Sequence, residues 1–129
     1  MKIKGIEHIA INTKDIERSL AFYNGVLGFE VLETIAMDGF SITYLALPGR
    51  GRLELFDYYG ENKKVPAEES RVGYRHIAME VDDVDAFYEM LSEKGVPIVL
   101  APTDLPRLGA RVLLFTDPDG VVWELSQPL

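Results

Sequence analysis

The chain has 129 residues, 47% of them hydrophobic, and it carries 13 Lys and Arg against 21 Asp and Glu, a formal net charge of −8. This length suits one domain with a real hydrophobic core. The acidic surplus, with no basic stripe, argues against nucleic acid as a partner. No cysteine is present, which excludes disulfides, thiolate metal ligands and a Cys nucleophile.

No apolar run approaches the roughly 20 residues that a bilayer span needs. The beginning of the chain, "MKIKGIEH", lacks the apolar stretch of a signal peptide. We therefore expect a soluble, cytoplasmic protein with no membrane partner.

The first half of the chain predicts a strand, a helix and three further strands. The strand "IEHIAIN" precedes "KDIERSLAFYNGVLGF", in which apolar residues recur at helical spacing. Asp15 stands where this helix should begin and Gly28 where it should end. Three runs rich in strand formers follow, "FEVLETIAM", "FSITYLALP" and "RLELFDYY", and the turn "LPGRG" separates the last two.

The second half repeats this order at a shift of 68 positions, which places His76, Ile77 and Ala78 on the equivalents of His8, Ile9 and Ala10. Asp83 and Gly95 bound the second helix, "DDVDAFYEMLSEKG". The strands "VPIVLAP", "ARVLLFTD" and "VVWELSQP" then follow, with "DPDG" between the last two.

The sequence therefore predicts an α+β fold of two βαβββ modules within a single domain, residues 1–129. The first module covers about residues 1–58 and the second about residues 73–129. Residues 59–72 are polar, contain a proline and form the predicted linker, which is also a candidate lid over a site.

Alternation along the strands places one potential metal ligand on the polar face of each of four strands. His8 opposes Ile9 and Glu54 opposes its leucine neighbours, and His76 and Glu124 stand likewise in the second module. The His-to-Glu spacing is 46 residues in the first half and 48 in the second. The two histidines thus occupy equivalent positions in the two modules, and so do the two glutamates.

A lone histidine on a strand is usually a hydrogen-bonded residue and a lone glutamate is usually solvated. The chain's only two histidines, however, occupy equivalent places, and each is followed by an equivalent glutamate. If the polar faces of the modules meet, the two carboxylates need a cation between them. Imidazole and carboxylate ligands suit Ni, Co, Zn, Mn or Fe, so the sequence predicts a divalent metal site.

At these residues the chain resembles the vicinal oxygen chelate superfamily, which includes glyoxalase I, methylmalonyl-CoA epimerase, fosfomycin-resistance enzymes, extradiol dioxygenases and bleomycin-resistance proteins. The resemblance rests on "EHIAI", "DIERSLAFYNGVLGFEV", "RLELFDY", "YRHIAMEVDDVDAFYEML" and "FTDPDGVVWELSQP", which cover nearly the whole chain. It implies that the modules form a curved, partly open mixed sheet around the metal.

By the same resemblance the protein is expected to be a homodimer. His8 and Glu54 of one subunit would then bind the metal together with His76 and Glu124 of the partner subunit. A His-Glu-His-Glu ligand set is similar to that of bacterial glyoxalase I, whereas extradiol dioxygenases use two His and one Glu.

The resemblance implies a lyase or isomerase reaction on a small molecule such as a hemithioacetal. The metal would polarise a substrate oxygen beside an acidic C–H and stabilise the enediolate, and a carboxylate would move the proton. We expect Glu124 to be that base and Glu54 to be a permanent ligand or second base. Glutathione-using members usually carry Arg and Asn where this chain has Asn12 and Tyr58, which does not favour glutathione as the thiol.

Two alternatives stay open: epimerisation of an acyl-CoA thioester, and non-catalytic binding of a metabolite or antibiotic in an aromatic pocket that includes Tyr59. The predicted substrate pocket consists of Asn12, Phe56, Tyr58, Tyr74, Arg107 and Arg111. Arg52, Lys63 and Lys64 are further candidate contacts for an anion, although each also suits a solvated surface.

Overall fold

The structure is a computed structural model that describes residues 1–62, residue 70 and residues 72–129. The chain divides into two compact units, Met1–Lys64 and Val65–Leu129. Much of the predicted linker and lid, with Lys63 and Lys64, lies outside the described residues. The single domain enclosing both modules stays a prediction.

The first unit is a four-stranded mixed sheet with one helical segment. Strands β1 and β4 are parallel neighbours, and β3 and β2 continue the sheet in antiparallel order, β1-β4-β3-β2. Its elements are β1 His8–Thr13, α1 Ile16–Leu20, a π-helical continuation Ala21–Val26, β2 Val31–Ala36, β3 Ser41–Ala46 and β4 Arg52–Asp57.

The second unit repeats this topology, with strand order β5-β8-β7-β6 and a parallel β5–β8 pair. Its elements are β5 Ile77–Glu80, α2 Val84–Glu93, β6 Ile98–Leu105, a 3₁₀ turn Pro106–Leu108, β7 Ala110–Thr116 and β8 Val122–Pro128. The predicted α+β class and the two βαβββ modules are therefore confirmed.

Both predicted helix starts are capped by the expected aspartates. The Asp15 carboxylate accepts from the backbone N–H groups of Glu17 and Arg18. The Asp83 carboxylate accepts from the backbone N–H of Ala86. At the same helix start, the side-chain oxygen of Gln127 accepts from the backbone N–H of Val84 at 2.9 Å. Backbone donors at a helix start have no partner within the helix, so these contacts fix where each helix begins.

The first helix differs from the sequence prediction in its second half. From Ala21 to Val26 it widens into a π-helix, and Leu27 N–H donates to the carbonyl of Phe22 five residues earlier. The wide turn lets the neighbouring Phe22 and Tyr23 both pack inward, with their rings edge to face at 5.0 Å. An apolar spacing of three or four cannot distinguish this geometry from an α-helix.

Each sheet buries one face against its helix. In the first unit the hydroxyl of Thr13 on β1 contacts that of Ser19 on α1, so the odd-numbered residues of β1 point toward the helix. In the second unit Gln127 reaches α2, and Trp123 and Leu125 share its face of β8. The opposite faces carry His8, Glu54 and Glu124.

No helix among the described residues is both long and apolar enough to cross a bilayer.

Candidate metal centre

The two His–Glu pairs occupy the same place in two equivalent parallel ladders. Ala10 of β1 pairs with Glu54 of β4, and Ala78 of β5 pairs with Glu124 of β8. Each histidine stands two residues before its alanine, on the same side of the strand. The duplicated register therefore brings each histidine beside its glutamate, and we call the two pairs the first and second half-sites.

The first half-site comprises His8 and Glu54. The Nδ1 atom of His8 lies 3.1 Å from a carboxylate oxygen of Glu54. The Glu54 side chain is only 7% exposed, whereas that of His8 is 43% exposed. The buried carboxylate is thus fixed by the sheet, and the imidazole forms the open side of the pair.

Glu7 also reaches this half-site, although strand alternation would place it on the opposite face. It lies just before β1, and its carboxylate contacts His8 Nδ1 through one oxygen and Arg52 Nη2, at 2.6 Å, through the other. The backbone here is tightly packed: Arg52 N–H donates to the Glu7 carbonyl, and a side chain at Gly51 would come within 3.2 Å of that carbonyl. Regular strand alternation therefore does not predict that Glu7 reaches this half-site.

The acidic neighbours favour the charged form of His8. The hydrogen bond to Glu7 raises the pKa of His8, as do the charges of Glu54 and Glu7, against an opposing effect of desolvation. The same hydrogen bond lowers the pKa of the Glu7 carboxyl, with help from Arg52. A proton on this imidazole nitrogen would exclude a metal ion from it.

The second half-site comprises His76 and Glu124. The Nε2 atom of His76 lies 2.9 Å from a Glu124 carboxylate oxygen, and the side chains are 24% and 20% exposed. The other ring nitrogen, Nδ1, is buried and has no hydrogen-bond partner within the part of the chain that the structure describes. A buried ring nitrogen without a partner is unusual and marks this histidine for further interaction.

The spacing of the nitrogen and oxygen atoms in each half-site is compatible with two ligands of one divalent metal ion. Two ligands at roughly 2.1 Å from one ion and at right angles to each other are about 3.0 Å apart. The nitrogen–oxygen distances of 3.1 and 2.9 Å match this separation, and they equally suit an N–H donating to a carboxylate. In the first unit Glu7, His8 and Glu54 together place three ligand atoms within 4.8 Å of one another.

Three predicted pocket residues lie beside the first half-site. Asn12 on β1 pairs with Phe56 on β4, and both share the face of Glu54. Phe56 stacks on Phe40 with ring centroids 5.8 Å apart, and Tyr58 stacks on Phe40 at 5.0 Å. Phe40, in the turn before β3, completes this aromatic stack, and no sequence pattern indicated it.

The other three predicted pocket residues are placed differently. Tyr74 is 64% exposed, and partial desolvation, followed by the charge of Asp117, raises the pKa of its hydroxyl group. Arg107 is exposed in the 3₁₀ turn.

The guanidinium of Arg111 binds both carboxylate oxygens of Asp85 on α2, at 2.9 and 3.0 Å, and one of Asp104. Arg111 therefore points toward the helix, away from the face of Glu124. All three of its guanidinium nitrogens donate to these two carboxylates, so the structure does not support Arg111 as a pocket residue.

The sequence profile of the Glyoxalase/Bleomycin resistance protein/Dioxygenase superfamily matches residues 5–125. The chain belongs to this superfamily. It is 36% identical to YwkD of Bacillus subtilis, an uncharacterized protein, with 98% of this chain and 99% of YwkD covered. It is 33% identical to the metallothiol transferase FosB of Staphylococcus epidermidis, over 95% of this chain and 83% of FosB.

Solved structures of superfamily members share the fold. The trypanothione-dependent glyoxalase I of Leishmania major has a TM-score of 0.76 at 29% identity, covering 97% of this chain and 87% of that one. The antibiotic-binding protein TnmS3 of a Streptomyces species has a TM-score of 0.78 at 28% identity, over 100% and 99% of the two chains. The superfamily thus includes both metalloenzymes and a binding protein.

Proposed function

We propose that the protein is a metal-dependent lyase or isomerase of the glyoxalase I type, which moves a proton at a carbon beside a substrate oxygen. The observation that carries the proposal is the pair of equivalent His–Glu half-sites at one register of duplicated ladders. The likeness to glyoxalase I and FosB, both superfamily members, supports it. The substrate class is a hemithioacetal or a related small thioester.

We propose that both half-sites contribute ligands to one complete site. Each His–Glu pair supplies two ligands, fewer than the three or four protein ligands of typical catalytic metal sites. We propose that His8 and Glu54 act with His76 and Glu124 of the partner subunit, in a homodimer with two identical sites. The metal is one of Ni, Co, Zn, Mn or Fe.

The burial of the two glutamates supports different roles for them. A divalent ion, when bound, supplies Lewis-acid stabilisation of negative charge on the substrate oxygen. Glu54, with its side chain 7% exposed, suits a fixed ligand. Glu124, at 20%, is more accessible to a substrate carbon and is the proposed base, which accepts the proton and returns it.

Two other candidate functions rest on separate observations. Acyl-CoA epimerisation is supported by 29% identity to mitochondrial methylmalonyl-CoA epimerase of Bos taurus, over 95% of this chain and 73% of that protein. Sequestration of a planar small molecule is supported by the aromatic stack of Phe40, Phe56 and Tyr58 and by the likeness to TnmS3.

Metal analysis and solvent exchange separate these functions. We expect purified protein to contain about one divalent ion per chain. In D₂O the loaded protein should introduce deuterium into the product of a methylglyoxal hemithioacetal, as followed by NMR. Exchange with methylmalonyl-CoA alone would instead identify the epimerase, and absence of exchange with both would reject both reactions.

The variant Glu124→Gln tests the proposed base, because an amide keeps an oxygen ligand but cannot accept the proton. We expect exchange to fall by about 10²–10⁴-fold, with metal still bound. Glu89→Gln, at an exposed position on α2, is the matched control and should exchange normally. Full exchange by Glu124→Gln would remove Glu124 from the mechanism.

A further inference from the structure

Arg52 holds a positive charge beside the first half-site. It pairs with His8 across the β1–β4 ladder and shares the face of Glu54, two residues further along β4. Its Nη2 atom lies 4.0 Å from the Glu54 carboxylate. A substrate group that reaches Arg52 would therefore lie next to any ion held by His8 and Glu54.

The Arg52 guanidinium is fixed in place before any ligand arrives. Its Nη2 atom donates to Glu7 at 2.6 Å, and its Cζ atom lies 4.7 Å from the centre of the Tyr44 ring. Tyr44 pairs with Glu54 on the neighbouring strand β3. Cation–π stacking and an ion pair together restrict the side chain, so little conformational freedom is lost when it binds a further group.

Arg52 also has donors to spare. Its contacts with Glu7 and Glu54 use Nη2, and among the described residues Nε and Nη1 make no hydrogen bond. The side chain is 39% exposed, so these donors are accessible. With His8 neutral, as metal binding requires, the carboxylates of Glu7 and Glu54 outweigh the one guanidinium, and a bound divalent ion would reverse the sign of the local charge. The loaded half-site would then attract an anion.

In the second half-site the strand position equivalent to Arg52 is uncharged. There Val122 stands two residues before Glu124, as Arg52 stands two residues before Glu54, and Leu114 pairs with Glu124 where Tyr44 pairs with Glu54. We infer that Arg52 is a specificity-determining residue that binds an anionic substituent of the substrate, such as a carboxylate, beside the metal. This inference rests on the proposed function, because it requires a metal in the first half-site.

Two probes of similar size, one anionic and one neutral, test this assignment through the effect of Arg52 on their relative affinity. Lactate and lactamide both offer a hydroxyl and a carbonyl oxygen to a metal, but only lactate is an anion. Each would be titrated into the cobalt-loaded full-length protein, with binding followed through the visible absorption of Co²⁺. The variants are Arg52→Gln and Arg52→Lys, and Arg50→Gln, at an exposed position in the preceding turn, is the control.

We expect Arg52→Gln to weaken lactate binding by about tenfold relative to lactamide, with cobalt content unchanged. Arg52→Lys should fall between Arg52→Gln and the wild type, since it keeps the charge but loses the planar fork. Arg50→Gln should behave as the wild type.

An unchanged lactate-to-lactamide ratio in Arg52→Gln would overturn the inference. Loss of cobalt from Arg52→Gln would also overturn it, because Arg52 would then act only through the metal ligands. Failure of the wild type to bind cobalt at all would overturn the proposed function and, with it, the inference. The metal content and the anion ratio thus distinguish the two failures.

Discussion

The two half-sites share a ladder position and differ in what surrounds it. In the first, Glu7 precedes the histidine and Arg52 lies on the glutamate's strand, so the His–Glu pair belongs to a network of charges. In the second, Arg75 precedes the histidine and Val122 replaces the arginine, and His76 keeps one buried ring nitrogen without a partner among the described residues.

This difference separates what the duplicated backbone imposes from what the flanking residues add. The parallel ladder places histidine beside glutamate in both units, although the contact uses Nδ1 of His8, at 3.1 Å, and Nε2 of His76, at 2.9 Å. The residues on either side of the ligands are not constrained by that register. The ligand pair is therefore common to both units, while local charge and polarity are specific to each.

The largest effect is expected from truncating a core residue in each unit, which tests whether the two units are also equivalent in their hydrophobic cores. Leu53 and Trp123 directly precede Glu54 and Glu124, and both are fully buried. Trp123→Ala should cost about 3–5 kcal/mol and Leu53→Ala about 2–5 kcal/mol of unfolding free energy, as measured by urea denaturation. A cost below about 1 kcal/mol for either variant would show that its site is not a core position.

The next largest effect is expected from removing either histidine, which tests whether both half-sites bind metal. His8→Ala and His76→Ala should each lower metal affinity by at least about a hundredfold, since removal even of groups that only orient a ligand costs 10- to 100-fold. The measurement is competition with a chromophoric chelator. If only one of the two variants loses metal, the half-sites are equivalent in geometry but not in function.

A smaller effect concerns the charge network of Glu7, His8 and Arg52 in the first half-site. Glu7→Gln should lower the pKa of His8 toward its ordinary value, because the hydrogen bond from Glu7 is the largest cause of the shift. NMR titration of the metal-free protein measures it, and an unchanged His8 pKa would contradict the contact.

The sign of the pH dependence follows from the raised pKa of His8. Its charged interactions stabilise the fold fully below the unfolded pKa, about 6.5, and this stabilisation is lost as the pH rises through the folded value. Metal binding needs the neutral imidazole and should strengthen over the same range.

The smallest expected effect concerns the exposed ion pair of the second unit. Asp85→Asn should lower Tm by a few degrees at most at neutral pH, because surface ion pairs contribute little. Binding to Arg111 lowers the pKa of Asp85, so its contribution is present above the unfolded value and lost as the pH falls through the folded one. The difference between variant and wild type should therefore vanish in acid, as followed by circular dichroism.

The first unit supplies the control for this prediction. Glu17 occupies the equivalent helix position, and Ser41 the equivalent strand position, so no ion pair forms there. Glu17→Gln should leave Tm unchanged. A loss as large as that of Asp85→Asn would show that helix charge, not the Arg111 pair, is responsible.

The sequence by itself determined the fold and the pairing of each histidine with its glutamate. Strand alternation and helix caps at Asp15 and Asp83 are local features, so a repeat of 68 positions was enough to predict two βαβββ modules. The same alternation placed each histidine and glutamate on one face. These conclusions depend only on near neighbours in the chain and on the period of a strand.

Only the tertiary structure decided which other side chains lie around each His–Glu pair. Glu7 leaves the strand pattern because it lies just outside β1 and is held by Arg52, 45 residues away along the chain. Arg111, a predicted pocket residue, instead faces α2, and Phe40 enters the aromatic stack from a turn. Side-chain partners distant in sequence leave no periodic signal, since they depend on which strands lie side by side and where each strand ends.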